Sequence, residues 1–256
     1  MGARFGISTH LFHGHRLDHA HLAAIAAHGF EAVELYATRS HVDYHDARTL
    51  ETVGRWLQDA GLVLHSVHAP TTRSYRNGEW GEPLSLAATD DGRRRQALDE
   101  TLAALAVARV VPFPLLVVHL GVPTAEAAAN SRLGLARSLE HLAEAAASTG
   151  VRLALELIPN ALSSAARLVQ WIEDDLDLPG AGICLDVGHA HISGDVMEAV
   201  EVCSGHILTT HLHDNHGRRD EHLVPGRGTV DWNGVMMAFQ KVGYDGAWIF
   251  ELAPAA

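Results

Sequence analysis

The chain has few cysteines, no long apolar run and a deficit of basic charge, and each shortage excludes something. Cys184 and Cys203 are its two cysteines in 256 residues. They are too few for a disulfide framework and form no Cys-x-x-Cys pair, so both read as small core residues. Every apolar stretch is broken by charge or proline well short of the ~18 residues that a membrane-spanning helix needs. Met1 leads straight into the strand-like Arg4-Phe5-Gly6-Ile7 without a basic and then apolar leader, so a cytoplasmic location is expected. Nineteen basic against 31 acidic side chains give a formal charge of −12, which disfavours diffuse adhesion to nucleic acid or an anionic membrane. There is no Walker loop, dinucleotide fingerprint or Gly-x-Ser-x-Gly elbow, and Gly226-Arg227-Gly228 alone is too short to mean phosphate binding.

Histidine, by contrast, is abundant: the chain carries 19. Six of them (His10, His13, His15, His19, His21 and His28) crowd the first 28 residues, where surface or helix-face positions are expected for all but His10. From His211 to Trp232 four histidines and three aspartates fall within 22 residues, behind the apolar pair Ile207-Leu208, so the polar cluster begins at a strand end. Imidazole and carboxylate oxygen suit zinc, manganese and similar divalent ions, and Asp220 and His222 can both reach one ion from a turn.

With 47% hydrophobic residues the chain can bury the core of one barrel-sized domain spanning 1–256. Apolar runs recur at 5–8, 32–36, 62–68, 115–120, 152–158, 182–187, 207–213 and 247–252. Helical patterns lie between them at about 17–28, 46–60, 92–110, 131–149, 163–175, 195–204 and 232–243. Eight strands alternating with helices imply parallel pairing and a closed (β/α)₈ barrel of the TIM type. The helix that usually follows the eighth strand is missing from the pattern. Its absence predicts poor cover for Trp248 and Phe250, and hence a homodimer or closure of the gap by neighbouring helices.

Strand parity tests the barrel independently, because alternate residues of a barrel strand point inward. Leu153, Leu155 and Leu157 share one face, which turns Glu156 inward; the same rule turns Glu34, His68, His119, Asp186, His211 and Glu251 inward. Each of these residues is expected at the carboxyl end of its strand, the rim where barrel enzymes build their sites. Gathering Glu156, Asp186, Asp220 and Glu251 on one rim requires compensating cations. The long polar segment 70–91, with Arg73, Tyr75, Arg76 and Trp80, leaves the same rim and is a candidate lid. Arg93-Arg94-Arg95 opens the next helix as a solvated face.

Leu155-Glu156, Cys184-Leu185-Asp186-Val187-Gly188-His189, the His211 to Trp232 stretch and Phe250-Glu251 together resemble the xylose isomerase-like, or endonuclease IV-like, barrel superfamily, often labelled sugar phosphate isomerase/epimerase. The likeness covers essentially the whole chain. It implies one divalent ion, zinc or manganese, held by Glu156, Asp186, His211 and Glu251. The endonuclease IV branch implies further ligands at His68, His119, His189, Asp220 and His222, enough for two or three ions. Known ketose 3-epimerases carry a substrate-contacting arginine where this chain has His222. The run Pro225 to Trp232 looks more like the sugar isomerases, and the basic, intercalating rim loops of the DNA-repair enzymes are lacking.

Three catalytic readings compete. An isomerase or epimerase of a sugar or sugar phosphate would use Glu156 and Glu251 as catalytic acid and base through a metal-stabilised enediolate. Its substrate contacts would be drawn from His10, Trp80, Asn160, His189 and Arg227. A phosphodiester hydrolase would use several ions, though the acidic chain argues against nucleic acid as partner. A lyase dehydrating a cyclic keto acid would start with the same proton abstraction. A non-catalytic metal-binding module fits the open rim least well. The expected partner is therefore a small carbohydrate.

Overall fold

The computed structural model describes residues 4–123, 130–176, 178 and 180–254. Eight parallel strands close a barrel: β1 (Phe5–Ser8), β2 (Ala32–Tyr36), β3 (Val63–His68), β6 (Leu115–His119), β7 (Arg152–Glu156), β8 (Gly182–Asp186), β9 (Ile207–Leu212) and β10 (Ala247–Phe250). Each pairs with its neighbours in chain order, and β1 closes the ring on β10 with Gly6 opposite Ile249. Several strands end one or two residues earlier than the apolar runs suggest, because the chain leaves the ladder at the rim to enter the loops that carry the polar groups.

Helices α1 (His19–Ala27), α2 (Ala47–Ala60), α3 (Asp91–Leu105), α4 (Arg132–Ala147), α5 (Ala165–Gln170), α7 (Val196–Val202) and α8 (Trp232–Lys241) occupy the seven expected intervals. α2 illustrates how each is set. Asp46 accepts from the N–H of Arg48 and Thr49, Leu50, Val53 and Leu57 face the barrel, and Gly61 ends the helix in the left-handed region at φ 68°.

Besides a 3₁₀ turn at Thr9–Phe12, a helix and a hairpin were not foreseen. A short helix, α6 (Val187–Ser193), starts directly at the end of β8 with Asp186 as its cap. The 70–91 segment is not a plain loop: β4 (Tyr75–Arg76) and β5 (Glu79–Trp80) form an antiparallel hairpin. Its turn residues Asn77 and Gly78 both have positive φ, the conformation an Asn-Gly hairpin turn requires.

No helix follows β10 among the described residues, and 255–256 lie outside them. Yet Trp248 is only 8% exposed. The rings of Phe239 and Tyr244 cover it, and Phe250 packs on Phe30. What stays exposed beside this seam is Phe5, Met236 and Met237. No helix among the described residues is long and apolar enough to cross a membrane.

The barrel interior is layered. Its floor carries two small apolar clusters, with Ala32, Ala247 and Ile249 in one and Val117, Ala154 and Cys184 in the other. Both cysteines are free and buried, as expected. Above this floor the lumen turns polar, and the site begins.

Candidate metal centre and substrate pocket

Glu156 ends β7, Asp186 ends β8, His211 lies one residue before the end of β9, and Glu251 follows β10. One ligand atom from each lies within 4.8 Å of those of the others. His211 Nδ1 is 3.3 Å from Glu156 Oε1, 3.5 Å from Glu251 Oε2 and 3.7 Å from Asp186 Oδ2. A single ring N–H can satisfy one of these carboxylates and not three, so the donor set suits a divalent cation at their centre. All four side chains are buried.

Two more histidines reach Glu156, His68 from β3 and His119 from β6. His68 Nε2 is 3.1 Å and His119 Nε2 3.0 Å from Glu156 Oε2. Burial alone would raise the Glu156 pKa, but the charges of His119 and His211 hold it well below the usual carboxylate range. Burial also opposes charge on His68; its hydrogen bond to Glu156 overcomes that and pushes the imidazole up to about 9.

A second group sits toward α6 and the loop after β9. His189 Nε2 is 3.1 Å and His222 Nε2 3.0 Å from Asp220 Oδ2. Although burial works against it, Asp220 is held far below the normal range by those two imidazoles. His222, likewise opposed by burial, is raised to about 9 by Asp220. The backbone of His222 lies in the left-handed region at φ 47°, strain that the surrounding loop must maintain.

Sequence reasoning passed over His213. It is fully buried, its Nε2 is 3.0 Å from Asp186, and its ring stacks at 4.1 Å on that of His222. Parity could have found it, since residues 211 and 213 of one extended stretch face the same way. Gly188 makes the space: a Cβ there would lie 2.0 Å from His213 Cε1.

Three of the imidazoles share one orientation. A carbonyl can only accept, so Nδ1–H of His68 donates to Ala69 O, that of His189 to Leu157 O and that of His222 to Glu251 O. Each Nε2 is thereby aimed at the site. His211 is reversed: Nδ1 faces the carboxylates, and Nε2 lies 3.1 Å from Glu34 Oε2.

A cavity of about 530 Å³ opens above these groups. His10, His13, Tyr36 and Trp80 form an aromatic wall, and His68, His119, His189, Asp220, His222 and Glu251 line the floor. His13 and Trp80 stack at 4.7 Å, which seats the hairpin over the mouth. His13 was expected at the surface and is instead part of this wall. Burial, followed by crowding from His222 and His13, keeps His10 neutral well below the ordinary imidazole range. Among the described residues no Arg or Lys lines the cavity.

Two expected contacts do not come together with the rest. Asn160 Nδ2 donates to the backbone carbonyls of Leu120 and Val122 while its Oδ1 accepts from Leu162 N, so the amide is used to build a rim loop. Arg227 is exposed and does not line the cavity. The Pro225 to Trp232 run serves as scaffold. Asp214 accepts from the N–H of Asn215, Gly226 and Val230 and from Trp232 Nε1. A Cβ at Gly228 would lie 2.3 Å from both Asn215 O and Asp214 Oδ1.

A family model described as xylose isomerase-like TIM barrel matches residues 22–256, and the chain belongs to that family. An uncharacterised protein of Methanocaldococcus jannaschii is 28% identical over 255 residues, covering 96% of this chain and 82% of the relative. A ketose 3-epimerase of Arthrobacter globiformis is 27% identical over 133 residues, 50% of this chain and 43% of that protein. Among solved structures, a D-tagatose 3-epimerase-like protein superposes with a TM-score of 0.80 at 24% identity, covering 98% of this chain and 90% of that one. An L-ribulose 3-epimerase does so with a TM-score of 0.78 at 22% identity, covering 99% and 82%.

Proposed function

We propose that the chain is a divalent-metal-dependent isomerase or epimerase of a free sugar, with Glu156 and Glu251 moving the proton. The observation that carries the reading is the convergence of Glu156, Asp186, His211 and Glu251 on one point beneath an aromatic-walled cavity that no arginine or lysine lines among the described residues. The partial match to a ketose 3-epimerase and the fold shared with a D-tagatose 3-epimerase-like protein and an L-ribulose 3-epimerase support it. An ion of the zinc or manganese kind, held by those four residues, would supply Lewis acidity to the substrate's carbonyl and neighbouring hydroxyl oxygens. One glutamate takes the proton from the hydroxyl-bearing carbon beside the carbonyl, and the other returns one from the opposite face, which inverts that carbon. Trp80 and His13 offer flat apolar surfaces to the sugar ring, and His10, His189 and His222 offer ring nitrogens to its hydroxyls.

A phosphorylated sugar fits less well than a free one, because among the described residues no arginine or lysine lines the cavity to pair its dianion, and Asp220 and Glu251 stand on the floor. A cytoplasmic location belongs to the same reading, as does a homodimer joined through Phe5, Met236 and Met237; a single species of monomer mass in sedimentation removes the dimer. Candidate ketoses incubated in D₂O with the manganese- or zinc-loaded protein should gain deuterium at the carbon beside the carbonyl and yield the epimer, both followed by NMR. Absence of exchange with every ketose and ketose phosphate tried would overturn the reading.

One observation favours a second activity. His68 and His119 on one flank of Glu156, and His189, Asp220 and His222 on the other, offer donors for a second and third ion, as multi-zinc phosphodiester hydrolysis requires. Metal stoichiometry in the Asp220→Asn, His222→Arg double variant separates the two. Loss of an ion with deuterium exchange preserved keeps the isomerase, whereas loss of phosphodiesterase activity without any sugar exchange favours the hydrolase.

A further inference from the structure

Glu34 is a carboxylate at the bottom of the polar lumen for which neither the ligand set nor the proton relay has a use. It sits on β2, across the barrel from β9, and is fully buried. Oε2 accepts from Ser66 Oγ at 2.8 Å and faces His211 Nε2 at 3.1 Å; Oε1 has no partner. Burying an anion costs several kcal/mol unless a positive partner compensates it. A glutamine would serve Ser66 as well without that cost, so the hydroxyl does not explain the charge.

The orientation of the imidazoles does. His68, His189 and His222 are anchored through Nδ1 on neutral backbone carbonyls. His211 alone among these four is anchored through Nε2, and on an anion. We infer that Glu34 is a positioning residue for the metal centre: its carboxylate takes the Nε2 hydrogen of His211, fixes the tautomer that leaves Nδ1 bare toward Glu156, Asp186 and Glu251, and makes that nitrogen a stronger donor. This rests on the proposed function, since it presumes an ion at those four residues. A carboxylate behind a ligating imidazole stabilises the charge that the ring takes on when it gives electron density to a cation. The same charge relay across the barrel gives Glu34 the positive partner it otherwise lacks.

The test compares the wild type with Glu34→Gln, which keeps the shape and removes the charge, and Glu34→Asp, which keeps the charge at shorter reach. Manganese and zinc affinity is read by calorimetry, and thermal stability in chelator is read in parallel. Glu34→Gln should bind the ion about 10- to 100-fold more weakly, while its metal-free melting temperature stays equal to or above that of the wild type. Glu34→Asp should recover part of the affinity. A merely structural role would lower the metal-free stability instead and leave the affinity of the folded protein unchanged. Ring ¹⁵N spectra of the loaded wild type need no variant to fold: they should show His211 protonated at Nε2 and shifted by the ion at Nδ1. Affinity within twofold of wild type in folded Glu34→Gln, or an ion on Nε2, sinks the inference. Failure of the wild type to bind any divalent ion would sink the proposed function first and is distinguishable from both.

Discussion

Asp214 and Asp186 are both fully buried acids at neighbouring strand ends, and they face opposite kinds of partner. Asp214 is held by three backbone N–H groups and an indole N–H, donors that neither titrate nor bind metal. Asp186 takes one backbone N–H from His189, and its remaining close neighbours are imidazoles and other carboxylates. A buried acid matched to fixed donors is finished as it stands; one surrounded by ligand-type nitrogen and like charge is incomplete until a cation arrives. The lesson is that burial does not mark a functional acid, whereas the identity of its partners does.

This contrast sets the expected effects in order. Glu251→Gln should leave the fold intact by circular dichroism and lower kcat/KM by about two to three orders of magnitude, since it removes a charge and a base from the incomplete cluster. Full activity there would take Glu251 out of the mechanism. Asp214→Asn should do the reverse. It leaves some of the four donors without an acceptor, at roughly 1–3 kcal/mol each, so the melting temperature falls while the ion bound at Glu156 and Glu251 is retained; lost metal with unchanged stability would erase the distinction.

Adding manganese or zinc to chelated protein should raise the melting temperature, by an amount equivalent to about 2.7 kcal/mol at a hundredfold excess over Kd. That increment should grow with pH. Without metal, His68 and His222 are raised to about 9, so the stability they contribute is whole below the unfolded imidazole value of about 6.5 and is lost as pH rises through 9. Where further ions take up His68 and His222 the dependence runs the other way, because protons compete for the same nitrogens. Melting curves from pH 6 to 10 with and without chelator should therefore diverge; parallel curves would mean that the ion does not meet these histidines. The smallest effect is expected at the mouth: Trp80→Ala should raise KM several-fold with kcat nearly unchanged, as removal of uniform binding does.

Much of the scaffold is legible along the chain because a barrel strand has a period of two and one wet end. That rule alone turned Glu156, Asp186, His211 and Glu251 toward each other, and the structure brings them within 4.8 Å. It could not assign Glu34, whose meaning depends on a histidine 177 residues away. Nor could it separate Asn160 from a substrate contact, since its partners are backbone carbonyls that no side-chain pattern reveals. The hairpin at 75–80 was signalled by Asn77-Gly78 but hidden by short, polar strands, and α6 by having no linker before it.

The packing of Gly188 against His213 carries a consequence for inheritance. With only 2.0 Å between a Cβ at 188 and the imidazole, position 188 cannot gain a side chain while 213 keeps its ring. A lineage that keeps histidine at 213 is bound to glycine at 188, and an alanine can enter at 188 only after the ring has been exchanged for something smaller. Across descendants of this barrel the two sites should change as a pair, in that order, and a natural chain carrying both a bulky residue at 188 and histidine at 213 would have to have rebuilt the junction of β8 and α6.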